Sequence, residues 1–317
     1  MTTRVQPVQH TIQTPYPVGP VHSYSLLRDD GIILFDSGPD TEQARKYYQR
    51  NLDLKRLRHI LITHCHIDHY GLAHWLEKES GATVYLPYRD TLKIRQNSQR
   101  LEGMYRYLRS VGFGESFVQE LHGTMSSGSI FPRLPDNYFV AEEKVTEELG
   151  IKIMSCPGHS QSDLVYLIGE YAVTGDTMLE GIFQSPLLDF DIENGQRFRN
   201  YTAYCESLPK LATLEGKYIM PGHRQKVPSV LQNLSVYIDK LFKRVEPLLA
   251  FRGERDVAAI IGRIVSSKLT PFQVYLKASE VQFVLDLFEE PEVLKESLCQ
   301  SGLFDSFKKE YIRVTGS

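Results

Sequence analysis

Thr63–Gly71, with the sequence THCHIDHYG, places three histidines and an aspartate within six positions of a chain that has ten histidines in all. The stretch follows the short apolar run RHILIT, which we predict to be a buried strand, so the motif begins where a strand ends. Side chains two residues apart at a strand end project to the same side. We therefore expect His64 and His66 to converge and Cys65 to point away from them.

Asp68 and His69 complete this motif at the start of the next segment, DHYGLAHWLEKES, whose apolar spacing predicts a helix. The chain therefore turns around a point that four side chains can face. Imidazole and carboxylate groups at one point suit zinc, iron or manganese, and a thiolate is not needed. A single metal ion would not need all four side chains.

Three later strand ends carry further candidates, each directly after a glycine, in the stretches CPGHS, VTGDT and MPGHR. The candidate ligands there are His159, Asp176 and His223. Glycine lets the backbone turn sharply and come close to a crowded centre. Five histidines and two aspartates at strand-to-loop junctions exceed one tetrahedral shell, and they fit two metal ions that share one carboxylate.

This ordered set, together with the strand GIILFDSG that carries Asp36, resembles the metallo-β-lactamase fold superfamily of binuclear hydrolases from about Val5 to His223. The resemblance implies an αββα sandwich with the metals at one edge. It also implies two divalent ions, most simply zinc, with iron or manganese as alternatives. The implied ligands are His64, His66 and His159 for the first ion and Asp68, His69 and His223 for the second, with Asp176 as the bridge.

The same resemblance implies hydrolysis by a metal-bridging hydroxide, because two ions lower the pKa of a shared water. Asp68 would then hold or shuttle the proton of the attacking water. Asp36 is expected to orient a ligand histidine, with a turn cap after its strand as the alternative. Arg224, next to His223, is a candidate contact for a substrate carboxylate or phosphate, with a solvated loop arginine as the alternative.

Strands alternate with helices up to about residue 245, and the rest of the chain is almost wholly helical, which predicts an α/β core with a helical C-terminal module. We assign residues 1–245 to the αββα domain and 246–317 to the module, although the helix at Leu231–Leu249 could belong to either. Residues 89–128 are a predicted helical insertion that forms pocket walls, or else a helix hairpin packed on the core. After Tyr138, the runs FVAEE and KVTEELG are predicted strands.

The composition is that of an ordinary soluble protein: 42% of residues are hydrophobic, 24% are charged, and the formal net charge is −3. It gives no electrostatic bias towards nucleic acid or anionic lipid. No window approaches the roughly 18 apolar residues of a membrane span, and the first residues do not resemble a signal peptide, so we expect a cytoplasmic protein. The four cysteines lack CxxC spacing and are expected to be reduced thiols.

Four classes of function fit these residues. We expect a hydrolase of a small-molecule thioester, ester or lactone, because the N-terminal strands resemble glyoxalase II-like hydrolases of unassigned substrate, which are commonly monomers or homodimers. The first alternative is a nucleic-acid phosphodiesterase with a winged-helix-like C-terminal module, although the acidic tail SEVQFVLDLFEEPEVLKESL is a poor phosphate-binding surface. A low-turnover binding or signalling protein and a mononuclear iron dioxygenase of the same fold are the others.

Overall fold

The computed structural model describes residues 6–16, 18–125, 133–183 and 185–316. Parts of the predicted domain, of its insertion and of the predicted module, namely residues 1–5, 17, 126–132, 184 and 317, lie outside the described residues. The first sheet has six strands in sequence order: β1 (Val8–Ile12), β2 (Val21–Arg28), β3 (Gly31–Phe35), β4 (Leu57–Leu61), β5 (Thr83–Leu86) and β6 (Tyr138–Val140). β1, β2 and β3 pair antiparallel, and the pairs from β3 to β6 are parallel.

Three helices cover one face of this sheet: α1 (Glu42–Asn51), α2 (Ile67–Tyr70) and α3 (Ala73–Ser80). Helix α1 begins after Thr41, whose side chain accepts a hydrogen bond from the backbone N–H of Ala44, as N-cap residues do. Tyr48 of α1, Ile60 of the sheet and Leu76 of α3 are fully buried in one apolar cluster. Burial of each large aliphatic side chain stabilises this layer by about 1.5–3 kcal/mol.

The segment between β5 and β6, which contains the predicted insertion, forms α4 (Tyr88–Arg95), α5 (Asn97–Ser110) and α6 (Glu115–Met125). The prediction of a strand at KVTEELG is wrong, because residues Ala141–Leu149 form helix α7. Ala141, Val145 and Leu149 are buried at every fourth position, which is helical spacing. Gly150 then ends the helix in the left-handed conformation, with φ of 67°.

A second sheet packs on the other face of the first. Its strands are β7 (Lys152–Ser155), β8 (Leu164–Ile168), β9 (Tyr171–Gly175) and β12 (Tyr218–Pro221), in the order β12-β9-β8-β7, and a small hairpin of β10 (Phe190–Asp191) and β11 (Gln196–Arg197) precedes β12 in the chain. Phe35 and Tyr166 meet between the sheets with ring centroids 5.6 Å apart. The Tyr166 hydroxyl donates to the carbonyl oxygen of Ile62 at 2.7 Å, so the two sheets are joined at this point.

Helices also cover the outer face of the second sheet. They are α8 (Asn200–Ala212), α9 (Val230–Val245), a 3₁₀ helix (Glu246–Phe251), α10 (Val257–Ile264), α11 (Pro271–Glu289), α12 (Pro291–Gln300) and α13 (Phe304–Thr315). Leu108 of α5, Tyr237 of α9 and Val284 of α11 are buried in one apolar cluster. The predicted αββα fold with helical additions is therefore confirmed. Because this cluster takes side chains from both sides of residue 245, the division there stays a prediction.

Candidate metal centre

Seven polar side chains meet at one edge of the sandwich, beyond the ends of β4, β7, β9 and β12. Their ligand atoms lie within 4.8 Å of one another in a first group of His64, His66 and His159 and a second group of Asp68, His69 and His223, and a third set, His64, His69 and Asp176, connects the two. These are the seven side chains that the sequence predicts as ligands. The structure thus brings all of them together, although they are spread over residues 64–223.

The first group consists of three imidazoles that share one point. His64 Nε2 lies 3.0 Å from His66 Nδ1, and His159 Nε2 lies 3.1 Å from the same His66 nitrogen. Ring nitrogens this close either share hydrogens or direct their lone pairs at a common ion. The hydrogen bonds on the far sides of the rings distinguish the two cases.

For His159 of the first group, and for His223 of the second group, the far ring nitrogen is held by a backbone carbonyl, whereas His64 Nδ1 lies 3.2 Å from the Thr63 hydroxyl oxygen. His159 Nδ1 donates to the carbonyl oxygen of Ser185 at 2.9 Å, and His223 Nδ1 donates to that of Pro20 at 2.7 Å. Because a carbonyl oxygen only accepts, each Nδ1 carries a hydrogen, and in the neutral ring each Nε2 then presents a lone pair to the centre. Outer contacts of this kind fix the tautomer and orientation of metal-binding imidazoles.

Asp176 lies between the groups. Its Oδ1 is 3.3 Å from His69 Nε2 and 3.7 Å from His223 Nε2, whereas its Oδ2 is 3.7 Å from His159 Nε2. Asp68 Oδ2 completes the second group at 3.2 Å from His223 Nε2. The two oxygens of Asp176 therefore face different groups, which is an arrangement suited to a carboxylate that bridges two ions.

Three buried atoms test whether metal ions fit this centre. His69 Nε2, Asp176 Oδ1 and His223 Nε2 lie 3.2–3.3 Å from groups of the opposite kind, but among the described residues none of them makes a hydrogen bond of acceptable geometry. A buried polar atom without a partner costs about 1–3 kcal/mol. Imidazole and carboxylate lone pairs are the donors that zinc, iron and manganese accept. The residues present therefore fit divalent ions at this site, and the number and identity of the ions stay predictions.

Asp36 stands behind the second group. Its Oδ2 accepts from His69 Nδ1 at 2.9 Å, and its Oδ1 accepts from the backbone N–H of Thr63 at 2.8 Å. The residue has φ of 58°, an unusual conformation for a residue with a side chain. The carboxylate thus links the end of β3 to the end of β4 and to the His69 ring. Asp36 therefore lies where the predicted role of orienting a ligand histidine requires it, and that role stays a prediction.

Two glycines allow the backbone to approach the centre. A Cβ on Gly222 would lie 2.5 Å from His69 Cε1 and 2.8 Å from Asp176 Oδ1. A Cβ on Gly175, which has φ of 49°, would lie 2.5 Å from Thr63 Oγ1. A side chain at Gly222 would displace candidate ligands, and one at Gly175 would displace Thr63, which hydrogen-bonds Asp36. The glycines before Asp176 and before His223 are therefore needed for close approach.

Local electrostatics set the protonation states of the centre. Burial, then the neighbouring His159, then Lys93 lower the pKa of His66 to about 3. Burial alone would raise the pKa of Asp176, but the neighbouring imidazoles, His69 first, hold it well below its ordinary range. At neutral pH the His66 ring is neutral and the Asp176 carboxylate is ionised. Metal ligands need these forms.

A cavity of about 290 Å³ lies beside the centre. Its lining includes His66 and Asp68 from the centre, Lys93 and Arg100 from the helices after β5, and Phe272 and Tyr275 from α11. The candidate ligands thus form one wall of the cavity. The helices of the predicted insertion and of the C-terminal region form other parts of the wall.

Two residues considered in the sequence analysis lie outside the ligand groups. Cys65 is buried in the cavity wall, and it belongs to none of the groups found in the described part of the chain. Arg224 is exposed and is not among the residues that line the cavity. Its backbone carbonyl accepts a hydrogen bond from His22 Nε2 at 2.8 Å. A substrate contact by Arg224 therefore stays a prediction.

A buried ionic network that was not predicted from the sequence lies beside the centre. We call it the charged wall, and it consists of Asp90, Lys93, Arg100 and Asp189. Lys93 Nζ lies 2.9 Å from Asp90 Oδ1 and 3.4 Å from Asp189 Oδ2. Arg100 Nε donates to Asp189 Oδ1. Burial would lower the pKa of Lys93, but Asp90 and Asp189 raise it, so the ammonium stays charged. The sequence does contain a signal for one pair of this network, because Asp90 and Lys93 have the spacing of an ion pair on a helix.

Comparison with known proteins gives the family. The sequence model of the metallo-beta-lactamase superfamily matches residues 16–223, which contain all seven candidate ligands. The chain belongs to the metallo-beta-lactamase superfamily. Membership of this superfamily and the cluster of histidines and aspartates together support a metal-dependent hydrolase in general.

Two sequence relatives of this superfamily member come from Bacillus subtilis (strain 168). The probable metallo-hydrolase YqjP is 25% identical over 308 residues, which cover 89% of this chain and 92% of the relative. The probable metallo-hydrolase YqgX is 24% identical over 212 residues, which cover 65% of this chain and 87% of the relative. The first similarity extends over the helical C-terminal part as well as the metallo-beta-lactamase core.

Solved structures of the superfamily share the fold. The metallo-beta-lactamase family protein TTHA1429 from Thermus thermophilus matches with a TM-score of 0.70 and 21% identity, covering 90% of this chain and 94% of that one. A beta-lactamase domain protein from Burkholderia ambifaria matches with a TM-score of 0.67 and 18% identity, covering 89% and 86%. Among the described residues, no helix combines the length and the apolar character that crossing a membrane requires.

Proposed function

We propose that this protein is a binuclear metal-dependent hydrolase that acts on a small-molecule thioester, ester or lactone. The observation that carries the proposal is the pair of ligand groups, linked by Asp176, in the wall of a cavity of about 290 Å³. His66 comes from the first group and Asp68 from the second, and both line the cavity. A substrate in the cavity would therefore meet both ion positions at once.

The seven ligands would hold two divalent ions, which lower the pKa of a shared water and polarise a substrate carbonyl when bound. Asp68 supplies a proton acceptor from the chain itself. Burial would raise the pKa of Asp68, but His69 and then His223 lower it, so the carboxylate is ionised at neutral pH. From the cavity wall it can take a proton from the attacking water.

Cys65 is a poor candidate for the nucleophile, although it lies in the same wall. Burial of the thiol, followed by the nearby Asp90 carboxylate, raises the pKa of Cys65 well above its ordinary value. The thiol is therefore protonated at neutral pH, and the thiolate is the reactive form of cysteine. Activation of water at the candidate metal centre remains the mechanism that the geometry supports.

The cavity supports a small substrate. Its volume of about 290 Å³ is at the lower end of the roughly 300–1,000 Å³ that small-molecule sites occupy. Ile67, Leu187 and Phe272 supply apolar lining. The described residues after β12 contain no β-hairpin, and a winged helix needs one. A nucleic-acid phosphodiesterase is therefore the weaker candidate.

Zinc is the proposed metal, and the imidazole and carboxylate donors also accept iron or manganese. The similarity to two probable metallo-hydrolases of Bacillus subtilis supports hydrolysis as the class of reaction. Membership of the glyoxalase II-like hydrolases of unassigned substrate, a cytoplasmic location and a homodimeric state are further parts of the proposal. They come from the sequence resemblance and from composition.

The test is the metal content and the turnover of the purified protein. Mass spectrometry with an inductively coupled plasma counts the ions per chain, and initial rates are compared on a thioester, a lactone, an aryl ester and a bis-aryl phosphodiester. We expect about two divalent ions per chain and hydrolysis of one of the three acyl substrates. A chelator should abolish the activity, and zinc should restore it.

Other outcomes select other functions. Preference for the phosphodiester would favour the nuclease, and one iron per chain without ester hydrolysis would favour the dioxygenase. A full metal complement without turnover would favour a binding protein. The variant His66→Ala controls for contaminating hydrolases, because activity that survives this substitution does not come from the candidate centre.

A further inference from the structure

We propose that Lys93 and Arg100 bind a carboxylate of the substrate, so that the substrate carries one hydrolysable acyl group and one ionised carboxyl group. This inference rests on the proposed function, which it makes more specific. Both cations line the same cavity as His66 and Asp68. A single small molecule can therefore reach the charged wall and the candidate metal centre together.

The charges that face the cavity are not balanced. Outside the metal centre, the charged residues in the described lining are Lys93, Arg100 and Asp189. Asp90 does not line the cavity, and its Oδ2 accepts from the backbone N–H of Cys65 at 2.6 Å. The cavity face of the charged wall therefore presents two cations and one carboxylate, whereas Asp90, 2.9 Å from Lys93, makes the whole network neutral. A substrate carboxylate that enters the cavity would meet Lys93 and Arg100 directly, because the compensating carboxylate of Asp90 is not in the lining.

Lys93 also has the donor capacity for such a guest. An ammonium group carries three N–H donors, and the contacts described for Lys93 Nζ are the 2.9 Å ion pair with Asp90 and the 3.4 Å ion pair with Asp189. The longer distance exceeds that of an ordinary N–H···O hydrogen bond. A substrate carboxylate can therefore bind to Lys93 without breaking a short bond.

Burial increases the effect of the two cations. Lys93 is 7% exposed and Arg100 is 4% exposed, so water competes weakly for their hydrogen bonds. Hydrogen bonds to ionised groups are roughly twice as strong as those between neutral groups. The neighbouring lining residues Ile67 and Leu187 are apolar, which suits a hydrocarbon body between the two polar ends of the substrate.

The experiment compares an acid with its neutral amide. Isothermal titration calorimetry measures the binding of phenylpropanoate and of phenylpropanamide, which have the same shape and differ in charge, to the metal-loaded protein. We expect the acid to bind about tenfold tighter or more. Lys93→Met should remove most of this difference, and Lys93→Arg should keep it. Equal affinities for acid and amide in the unaltered protein would overturn the inference.

Metal ions also attract carboxylates, so the decisive quantity is the change that Lys93→Met causes at equal metal content. A preference for the acid that survives this substitution unchanged would place the carboxylate at the metals and overturn the inference. Phe272→Ala is the matched control for shape. It removes apolar lining and should weaken the binding of acid and amide alike.

Two further variants distinguish a loss of carboxylate binding from a loss of the fold. Lys93→Met leaves Asp90 without its cation, whereas the double variant with Asp90→Asn removes one charge of each sign and should show the same loss. Asp189→Asn has the opposite expected sign. It removes a carboxylate that competes for both cations, so the acid should bind a few times tighter. Weaker binding of the acid to a folded Asp189→Asn variant would contradict the proposed site.

Turnover separates this inference from the proposed function. The ratio of kcat/KM for the para-nitrophenyl monoester of adipic acid to that for para-nitrophenyl hexanoate should be about ten or more, and it should fall in Lys93→Met. If neither ester is hydrolysed but the acid binds through Lys93, the proposed function fails and the carboxylate site stands. If the hexanoate is hydrolysed at least as well as the adipate ester, the function stands and the carboxylate site fails.

Discussion

The candidate ligands, which we call the metal edge, and the charged wall are two buried polar clusters that line one cavity but differ in how their atoms are paired. In the metal edge, His223 is held from behind by Pro20, and its Nε2 faces the centre without a hydrogen-bond partner among the described residues. In the charged wall, Lys93 and Asp189 meet oppositely charged neighbours directly. The metal edge therefore has buried polar atoms without hydrogen-bond partners among the described residues, whereas the charges of the wall compensate one another.

This difference separates two kinds of site. Convergent lone pairs need a cation or a hydrogen-bond donor between them, because buried polar atoms without partners are costly. In a compensated ionic network the charges are already paired within the protein. Such a network acts on a bound substrate through the charges that face the cavity. Under the two proposals above, the metal edge would carry out the reaction and the charged wall would select the substrate. The following substitutions test that division, beginning with the largest expected effect.

Asp176→Ala should have the largest effect, because it removes the carboxylate that faces both ligand groups. We expect kcat/KM to fall on the order of a thousandfold, since several kcal/mol of charge stabilisation depend on the ions. The metal content should fall as well. Kinetics on the best substrate and metal analysis measure both quantities. Unchanged turnover with one ion per chain would show that the bridging position is dispensable.

Arg197→Met tests the ion pair that fixes α11, a helix that lines the cavity. Arg197 makes two hydrogen bonds of 2.8 Å to the buried carboxylate of Asp286 on α11, the helix that also carries Phe272 and Tyr275. Breaking a buried ion pair from one side costs about 3–5 kcal/mol. We expect this loss in the free energy of unfolding by urea, with the metal content unchanged. If the variant lost metal without losing stability, the charged wall and the metal edge would be coupled, and the proposed division between them would be wrong.

Gly222→Ala tests how tightly the metal edge is packed. The new Cβ would lie 2.5 Å from His69 Cε1, so the ring must shift, and we expect metal affinity to fall by about tenfold to a hundredfold. Gly262→Ala is the matched control, because Gly262 lies in α10 with no atom within 4 Å of its new Cβ. The control should be slightly stabilised and should bind metal normally. Equal metal affinities in both variants would show that the edge is pliable.

Arg224→Asn should have the smallest effect. Asparagine tolerates the left-handed conformation of this residue, where φ is 67°, and the lost guanidinium is exposed and outside the cavity lining. We expect turnover to change by less than about twofold, because surface substitutions away from special features are mild. Steady-state kinetics decide the matter. A tenfold rise in KM would establish Arg224 as a substrate contact after all.

The metal edge could be predicted because its members occupy short motifs at strand ends. His64 and His66 lie two positions apart, and glycine stands directly before Asp176 and before His223. Such local geometry depends on the chain itself, and the order of the motifs carried the resemblance to a family. The fold followed from that resemblance and from alternating strands and helices. The roles of the ligands remain proposals until metal binding is measured.

The charged wall could not be predicted in the same way. Lys93 and Asp189 are far apart in sequence, and their contact depends on how α4 packs against the loop after β9. No local pattern encodes that packing. Helix α7 was missed for a different reason: Val145 and Thr146 favour strands by propensity, while the spacing of Ala141, Val145 and Leu149 made the helix the better way to bury apolar surface.

The spread of the ligands along the chain also sets the order in which the site can form during protein synthesis. The ribosome completes His69 about 150 residues before His223, which corresponds to on the order of ten seconds at ordinary elongation rates. Until His159 is made, the nascent chain carries four of the seven candidate ligands, and the other three are still missing. Helix α11 is made later still, so the nascent protein completes its ligand set before it can enclose the cavity.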